Sequence, residues 1–250
     1  MSGIEPIGFL PAEWSAPPGV HAGTSTRAGG VSAGEYASFN LGDRAGDDPA
    51  AVAENRRRLR VGLNLVHEPR WLYQVHGTRV VPATPGPELP EADAAVAAAP
   101  GEVCAVLTAD CLPVLLCDDG GTRVAAAHGG WRGLAGGILA ETVAAMTVPP
   151  ATVMAWLGPA IGPAAFEVGD EVRAAFVARD PDHAAAFAPG AAPGKHQADI
   201  YALARRELAR AGVARVYGGG RCTVTEADTF YSYRRQGGEC GRMASLIWRD

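Results

Sequence analysis

Val103-Cys-Ala-Val-Leu-Thr-Ala-Asp-Cys-Leu-Pro-Val-Leu-Leu-Cys-Asp-Asp-Gly-Gly-Thr-Arg-Val-Ala-Ala-Ala-His-Gly-Gly-Trp-Arg-Gly133 is the stretch whose reading decides the fold. Val103–Leu107 and Leu112–Cys117 are apolar runs of strand length, too short for buried helices. Asp118-Asp-Gly-Gly121 turns the chain, and Arg123–Ala127 makes a third strand. After Gly129-Gly130 one helix is predicted through Leu134, Ile138, Val143 and Met146, stopped by Pro149-Pro150. This is the texture of a mixed α and β protein with buried strands.

The flanking sequence extends the pattern. Upstream, Val20–Ser25 reads as a strand and Arg27–Ser32 as a glycine-rich loop. Asp48-Pro49 is an N-cap and first-turn pair for a helix with Val52, Leu59 and Leu63 on one face. Trp71–Val75 reads as a short strand ending at His76-Gly77. Pro82–Pro100, rich in Pro and Ala, reads as surface loop with a short strand or turn near Asp93. Downstream, Val153–Leu157, Val213–Tyr217, Thr223–Val224 and Met243–Trp248 read as strands, and Asp170–Arg179 as a helix. Pro181–Gly194 reads as loop or frayed helix. Asp199 caps a helix with Ile200, Leu203, Ala204 and Leu208 inward. With no linker and no internal repeat, residues 1–250 are expected to form one domain of mixed α and β structure.

Composition narrows the class of function. At 250 residues, 48% hydrophobic and 20% charged, the chain is globular and soluble. A net charge of -5 argues against a partner such as nucleic acid, although it leaves room for a local basic pocket. No targeting segment and no apolar run of bilayer-spanning length is visible, so no membrane partner is expected. The 5 cysteines contain no C-x-x-C pair, which fits a reduced, cytoplasmic protein. Cys104 and Cys117 read as core. Cys222 and Cys240 read as unpaired thiols. His21 reads as strand surface or pocket rim, and His67, His183 and His196 as exposed. The sequence leaves the oligomeric state open.

Polar residues that interrupt the apolar segments carry the chemistry. His76 follows one strand, Cys111 sits between two, and His128 follows another. Each has glycine or proline close by, so its backbone is shaped. Two imidazoles and a thiolate make a three-ligand zinc or copper site, with the fourth position left for water or substrate. The same atoms also suit a nucleophile pair, with Cys111 attacking and His76 or His128 as base. Asp110 beside Cys111 is then either an orienting carboxylate or a turn residue. Arg27, Arg132 and Arg234, near glycine-rich or aromatic turns, are candidate anion contacts. No G-x-G-x-x-G or G-K-[ST] pattern occurs, so no dinucleotide or P-loop site is read.

Together the motifs resemble the YfiH family, also called the laccase-domain or peptidoglycan-editing-factor family. They are Ser25-Thr-Arg-Ala-Gly-Gly-Val-Ser32, Phe39-Asn-Leu-Gly42, Gln74-Val-His-Gly77, Thr108-Ala-Asp-Cys-Leu-Pro-Val-Leu-Leu116 and His128-Gly-Gly-Trp-Arg-Gly-Leu134. Trp156-Leu-Gly-Pro-Ala-Ile-Gly162, Phe166-Glu-Val-Gly169, Tyr231-Ser-Tyr-Arg-Arg235 and Gly241-Arg-Met-Ala244 complete the set, from about residue 18 onward. The resemblance implies a single compact α+β domain of packed β-sheets flanked by helices, an α/β/β/α-like fold, and a metal held by His76, Cys111 and His128, zinc or alternatively copper. It implies phosphorolysis of adenosine, inosine and methylthioadenosine, and deamination of adenosine. His76, Cys111, His128 and Asp110 are then catalytic, and Arg27, Asn40, Gln74, Arg132 and Arg234 contact nucleoside or phosphate. Gly129 stands where the family usually has alanine, which should only loosen the backbone, and Cys240 where a threonine is expected.

In phosphorolysis, Arg27 or Arg132 would hold phosphate under the ribose C1′, and a protonated Asp110 would donate to the leaving purine. Positioned charges carry most of that catalysis. Two rivals remain. One is a polyphenol oxidase, disfavoured because 6 histidines with no His-x-His cannot build a type 1 copper and a trinuclear cluster. The other is a hydrolase of peptidoglycan precursors with Cys111 as nucleophile.

Overall fold

A computed structural model describes residues 6–250. The strands are β1 (Phe9–Pro11), β2 (Val20–Ser25), β3 (Val80–Pro82), β4 (Ala94–Ala97), β5 (Val103–Thr108), β6 (Leu112–Asp118) and β7 (Val124–Gly129). They continue as β8 (Val153–Leu157), β9 (Glu167–Gly169), β10 (Phe187–Pro189), β11 (Lys195–Ala198), β12 (Arg215–Gly218) and β13 (Met243–Arg249). The helices are α1 (Pro49–Gly62), α2 (Trp131–Gly136), α3 (Ile138–Ala145), α4 (Asp170–Arg179), α5 (Ile200–Arg210) and α6 (Tyr233–Gln236).

Strands pair as β12-β8-β6-β7-β4-β3 in one sheet, β1-β2-β13-β5 in a second and β10-β11-β9 in a small third. Side chains alternate along a strand, and the alternation here builds two cores at once. In β6, Leu112, Val114 and Leu116 pack with α2, α3, α4 and α5, while Leu115 and Cys117 face the second sheet. In β8, Val153, Ala155 and Leu157 face the helices, and Met154 and Trp156 face inward. Across the interface, Cys104 and Val106 of β5 meet Leu115, while Val103 and Ala105 face α1 with Leu59. The order of layers is therefore α1, four-stranded sheet, six-stranded sheet, helices. Strands covered on both faces need apolar residues at every position, which is why the Leu112–Cys117 run does not alternate with polar residues.

β5 and β6 are consecutive in the chain but lie in different sheets. Ala109, Asp110 and Cys111 make the crossing. In the register of β6 with β7, Leu112 faces Gly129 and Pro113 faces His128. Cys111 and His128 thus reach the same end of the sandwich, where the two sheets part.

Several expectations change at this level. His128 lies inside β7, not after it. Trp71–Val75 forms no strand, only single bridges at Arg70 and Tyr73. The Gln74 side chain takes the place of a backbone partner: its Nε2 donates to the Leu107 carbonyl at 2.9 Å and its Oε1 accepts from the Leu107 N–H at 2.7 Å. The short strand or turn expected near Asp93 is present as a strand. It is β4, which pairs with β7; Ala94 faces the helix layer, and Ala95 and Ala97 face the second sheet. The helix after Gly130 is two helices, broken at Gly137, which adopts φ +99°. Thr223–Val224 is a turn beside one bridge at Cys222. His183 is fully buried, not exposed. Its Nδ1 donates to the Phe176 carbonyl and its Nε2 stands 3.1 Å from buried Glu207, a charged neighbour that offsets the cost of enclosing the ring.

Other expectations hold. Asp48 accepts from Ala50 N at the start of α1, and Asp199 from Tyr201 N and Ala202 N at the start of α5. All five cysteines are free, with Cys104 and Cys117 in the core. His21 lies at the surface, stacked on Trp248 and bonded to Asp250. Among the described residues no helix is long and apolar enough to cross a membrane. Because Leu115 sits between the two sheets, Leu115→Ala is expected to lower the unfolding free energy by about 2–5 kcal/mol. Urea denaturation measures this, and a loss below about 1 kcal/mol would contradict the two-sided burial.

Candidate metal centre and cleft

Cys111 reaches the site on the β5–β6 crossing, His128 on β7 and His76 on the segment tied to β5 by Gln74. The donor atoms of these three residues all lie within 4.8 Å of one another. Cys111 Sγ is 3.8 Å from His76 Nε2. Zinc–sulfur and zinc–nitrogen bonds at tetrahedral angles separate the two ligands by about 3.6 Å, so the residues fit a metal. Among the described residues this is the one such group of His, Cys, Asp or Glu.

Asp93 builds the site from behind. It is fully buried. Its carboxylate accepts the backbone N–H of Val75, His76 and Gly77 at 3.2, 2.9 and 2.7 Å. It also accepts from His128 Nδ1 at 2.8 Å. The first three bonds hold His76 at φ +61°, a left-handed backbone that a non-glycine residue adopts only under constraint. The fourth presents His128 Nε2 to the ligand cluster. A carboxylate behind a ligating imidazole sets tautomer and ring orientation. Burial would push the Asp93 carboxyl up, but His128 and the Gly77 and Val75 amides hold it below the usual carboxylate range.

Electrostatics favour a thiolate. Burial alone would raise the Cys111 thiol, yet His128 and His76 more than offset it and bring it down to about 6. Burial alone would lower His128, while Cys111 and Asp93 hold it up at about 9. Without a metal the pair is therefore a thiolate beside an imidazolium. Gly130 closes the site: a Cβ there would stand 2.6 Å from His76 Cδ2 and 3.4 Å from both Cys111 Sγ and His128 Cε1. Gly129 is also packed. A Cβ would meet the Leu112 carbonyl at 2.7 Å, so glycine here permits a close strand approach and does not merely loosen the backbone.

The three residues lie in a cleft of about 630 Å³. His128 is buried and His76 exposed, so the cluster is open on one side. Apolar and aromatic walls come from Leu72, Leu107, Trp131, Ile161, Phe166 and Tyr233.

The structure brings some expected substrate contacts to this cleft and leaves others out. Gln74 and Arg234 line it. The Gln74 amide is spent on Leu107. Arg234 donates its guanidinium to the Ala165 and Glu167 carbonyls. Arg27 does not line the cleft. It donates to the Ala37 and Ala227 carbonyls and rests on the Tyr231 ring. Arg132 is exposed outside the cleft against Trp131. Asn40 is buried behind the rim, where its Oδ1 accepts from Gly42 N and Arg242 N. Asp110, at φ +93°, accepts from Thr223 Oγ1 at 2.5 Å and from Arg234 N at 2.6 Å. Both Asp110 oxygens accept, which holds Arg234 and Thr223 in place. Asp93 and Gly130 received no role from the sequence. One charge inside the alanine-rich run Glu91-Ala-Asp-Ala-Ala-Val96 was the available signal for Asp93.

A two-sheet sandwich with a His-Cys-His cluster in its cleft defines a class of single-domain proteins whose cleft carries a group that could hold a metal ion. The family model described as multi-copper polyphenol oxidoreductase laccase matches residues 21–250, and the chain belongs to this family. It is 54% identical over 240 residues to purine nucleoside phosphorylase PA4543 of Pseudomonas aeruginosa, covering 96% of this chain and 98% of that one. It is 55% identical over 237 residues to purine nucleoside phosphorylase YfiH of Escherichia coli, covering 94% and 96%. The crystal structure of Neisseria meningitidis protein NMB0706 superposes with a TM-score of 0.93 at 55% identity, covering 97% and 99%. The structure of YlmD from Geobacillus stearothermophilus superposes at 0.90 with 33% identity, covering 97% and 96%.

Two outcomes test the site. Asp93→Asn is expected to weaken zinc binding about 10- to 100-fold, measured with a competing chelator; unchanged affinity would remove Asp93 from the site. In metal-free protein, alkylation of Cys111 should stay at its high-pH rate down to about pH 6 and fall below it, because only the thiolate reacts. Cys111→Ala supplies the background from Cys222. A midpoint in the ordinary thiol range would contradict the imidazolium–thiolate pair.

Proposed function

We propose that this protein is a metal-dependent purine nucleoside phosphorylase, acting on adenosine, inosine and methylthioadenosine, with adenosine deaminase activity. Zinc is the proposed metal and copper the alternative. The observation that carries this reading is the His76–Cys111–His128 cluster in an apolar cleft of ligand size. The relatives' names supply the reaction class. A reduced thiolate ligand and five free cysteines suit a cytoplasmic location.

When bound, the metal supplies Lewis acidity and acidifies water at the site. The chain's own residues do the rest. Phe166, Trp131 and Tyr233 offer aromatic surface for a purine. Asp93 keeps His76 and His128 aimed at one point. Asp110 enters as a positioning residue, bonding the Arg234 amide and the Thr223 hydroxyl. The buried wall around His128 excludes water from one side of the reacting bond, which strengthens positioned charges.

The family description suggests a polyphenol oxidase. One three-ligand cluster among the described residues is too small for a type 1 copper plus a trinuclear centre, and this reading is set aside. The test is chromatographic. Zinc-loaded wild type and Cys111→Ala are incubated with inosine and adenosine, with and without phosphate. The expected outcome is phosphate-dependent release of hypoxanthine and adenine and conversion of adenosine to inosine, all lost in the variant. If no free base forms in any condition, the phosphorylase reading fails, and Cys111 is next tested as a nucleophile on peptidoglycan precursors.

A further inference from the structure

We propose that the cleft wall away from the cluster is a phosphate-binding subsite formed by Arg44, Arg242 and Thr108. The subsite rests on the phosphorylase reading for its role in turnover, but not for its anion.

Arg44 lines the cleft with its guanidinium carbon 3.7 Å over the Tyr73 ring. Among the described residues its guanidinium has no hydrogen bond and no carboxylate partner. Stacking fixes the plane and leaves the in-plane N–H edge free, the arrangement that grips an oxyanion by two parallel bonds. The arginines first considered differ in this respect: Arg27 and Arg234 are spent on carbonyls, and Arg132 lies outside the cleft. Arg242 also lines the cleft. Its Nη1 donates to the Cys240 and Gly241 carbonyls, and Nη2 and Nε are unpartnered among the described residues.

Thr108 is the independent observation. It is 2% exposed, lines the cleft, and its hydroxyl has no hydrogen-bond partner. A buried hydroxyl without a partner is costly, and a side-chain rotation toward the cleft that Thr108 lines would let a ligand oxygen satisfy it.

The fold brings these groups together. Thr108 pairs with Met243, the neighbour of Arg242. Gly42 packs so closely on Arg242 that a Cβ would stand 2.6 Å from its Cγ, which seats the Gly42–Arg44 rim on the same wall. The acid of that rim, Asp43, is bound by Arg56 at 3.2 Å. Tyr73 precedes His76, and Thr108 precedes Cys111, by three residues. A phosphate group on this wall is either free phosphate or one carried by the substrate.

The experiment uses zinc-loaded wild type, Arg44→Gln and Thr108→Val. Calorimetry without nucleoside reads binding of inorganic phosphate. Steady-state kinetics read KM for phosphate and for inosine. Inosine 5′-monophosphate is tested as a ligand in parallel. Arg44→Gln should weaken phosphate about ten- to hundredfold and Thr108→Val about three- to tenfold, with inosine KM and zinc content unchanged. Thr108→Val should leave Tm unchanged or raise it, since it removes an unpaired buried hydroxyl. If the monophosphate and not inorganic phosphate loses affinity in Arg44→Gln, the subsite stands and its phosphate is substrate-borne. If wild type releases no base yet binds either phosphate in an Arg44-dependent way, the phosphorylase reading fails and the subsite stands. Equal binding of both ligands by wild type and Arg44→Gln overturns the subsite, whether or not inosine is cleaved.

Discussion

The carboxylate of Asp93 is the interaction on which the site depends. It is enclosed between β4 and the His76 loop, where an unpaired charge would be strongly unfavourable. Three backbone amides and one imidazole satisfy it. The same four bonds hold His76 in a left-handed conformation and point His128 Nε2 at Cys111. Without them, two of the three ligands lose their support together.

The sandwich supplies the third ligand and the space. β5 and β6 are neighbours in sequence but belong to different sheets, so the residues between them must lie where the sheets separate. Cys111 is in that link, and the parting sheets leave the cleft beside it. Glycine at 130 lets the following helix begin against the ligands without a side chain intruding. The thiolate and imidazolium stabilise each other, and a cation that takes the site must displace the His128 Nε2 proton.

Much of the fold was legible. The apolar runs of β5, β6, β8 and β13 have strand length and few polar interruptions, and the caps of α1 and α5 are local signals. The misread pieces share a cause. His183 was buried by the presence of Glu207, distant in sequence. Gln74 replaced a strand with side-chain bonds. At the site, His76, Cys111 and His128 stood out because each breaks an apolar segment. Arg27 and Arg234 looked like anion contacts because sequence shows a guanidinium, not the carbonyls that occupy it.

The sequence by itself determined most of the strands and helices and the three donor residues, because periodicity, capping and the interruption of apolar runs are local properties of a chain. Only the tertiary structure decided that these donors meet within 4.8 Å, that Asp93 stands behind them, and which arginines keep a free edge. Those facts depend on packing between segments far apart in sequence, where distance and hydrogen-bond supply, not residue type, assign a side chain its role.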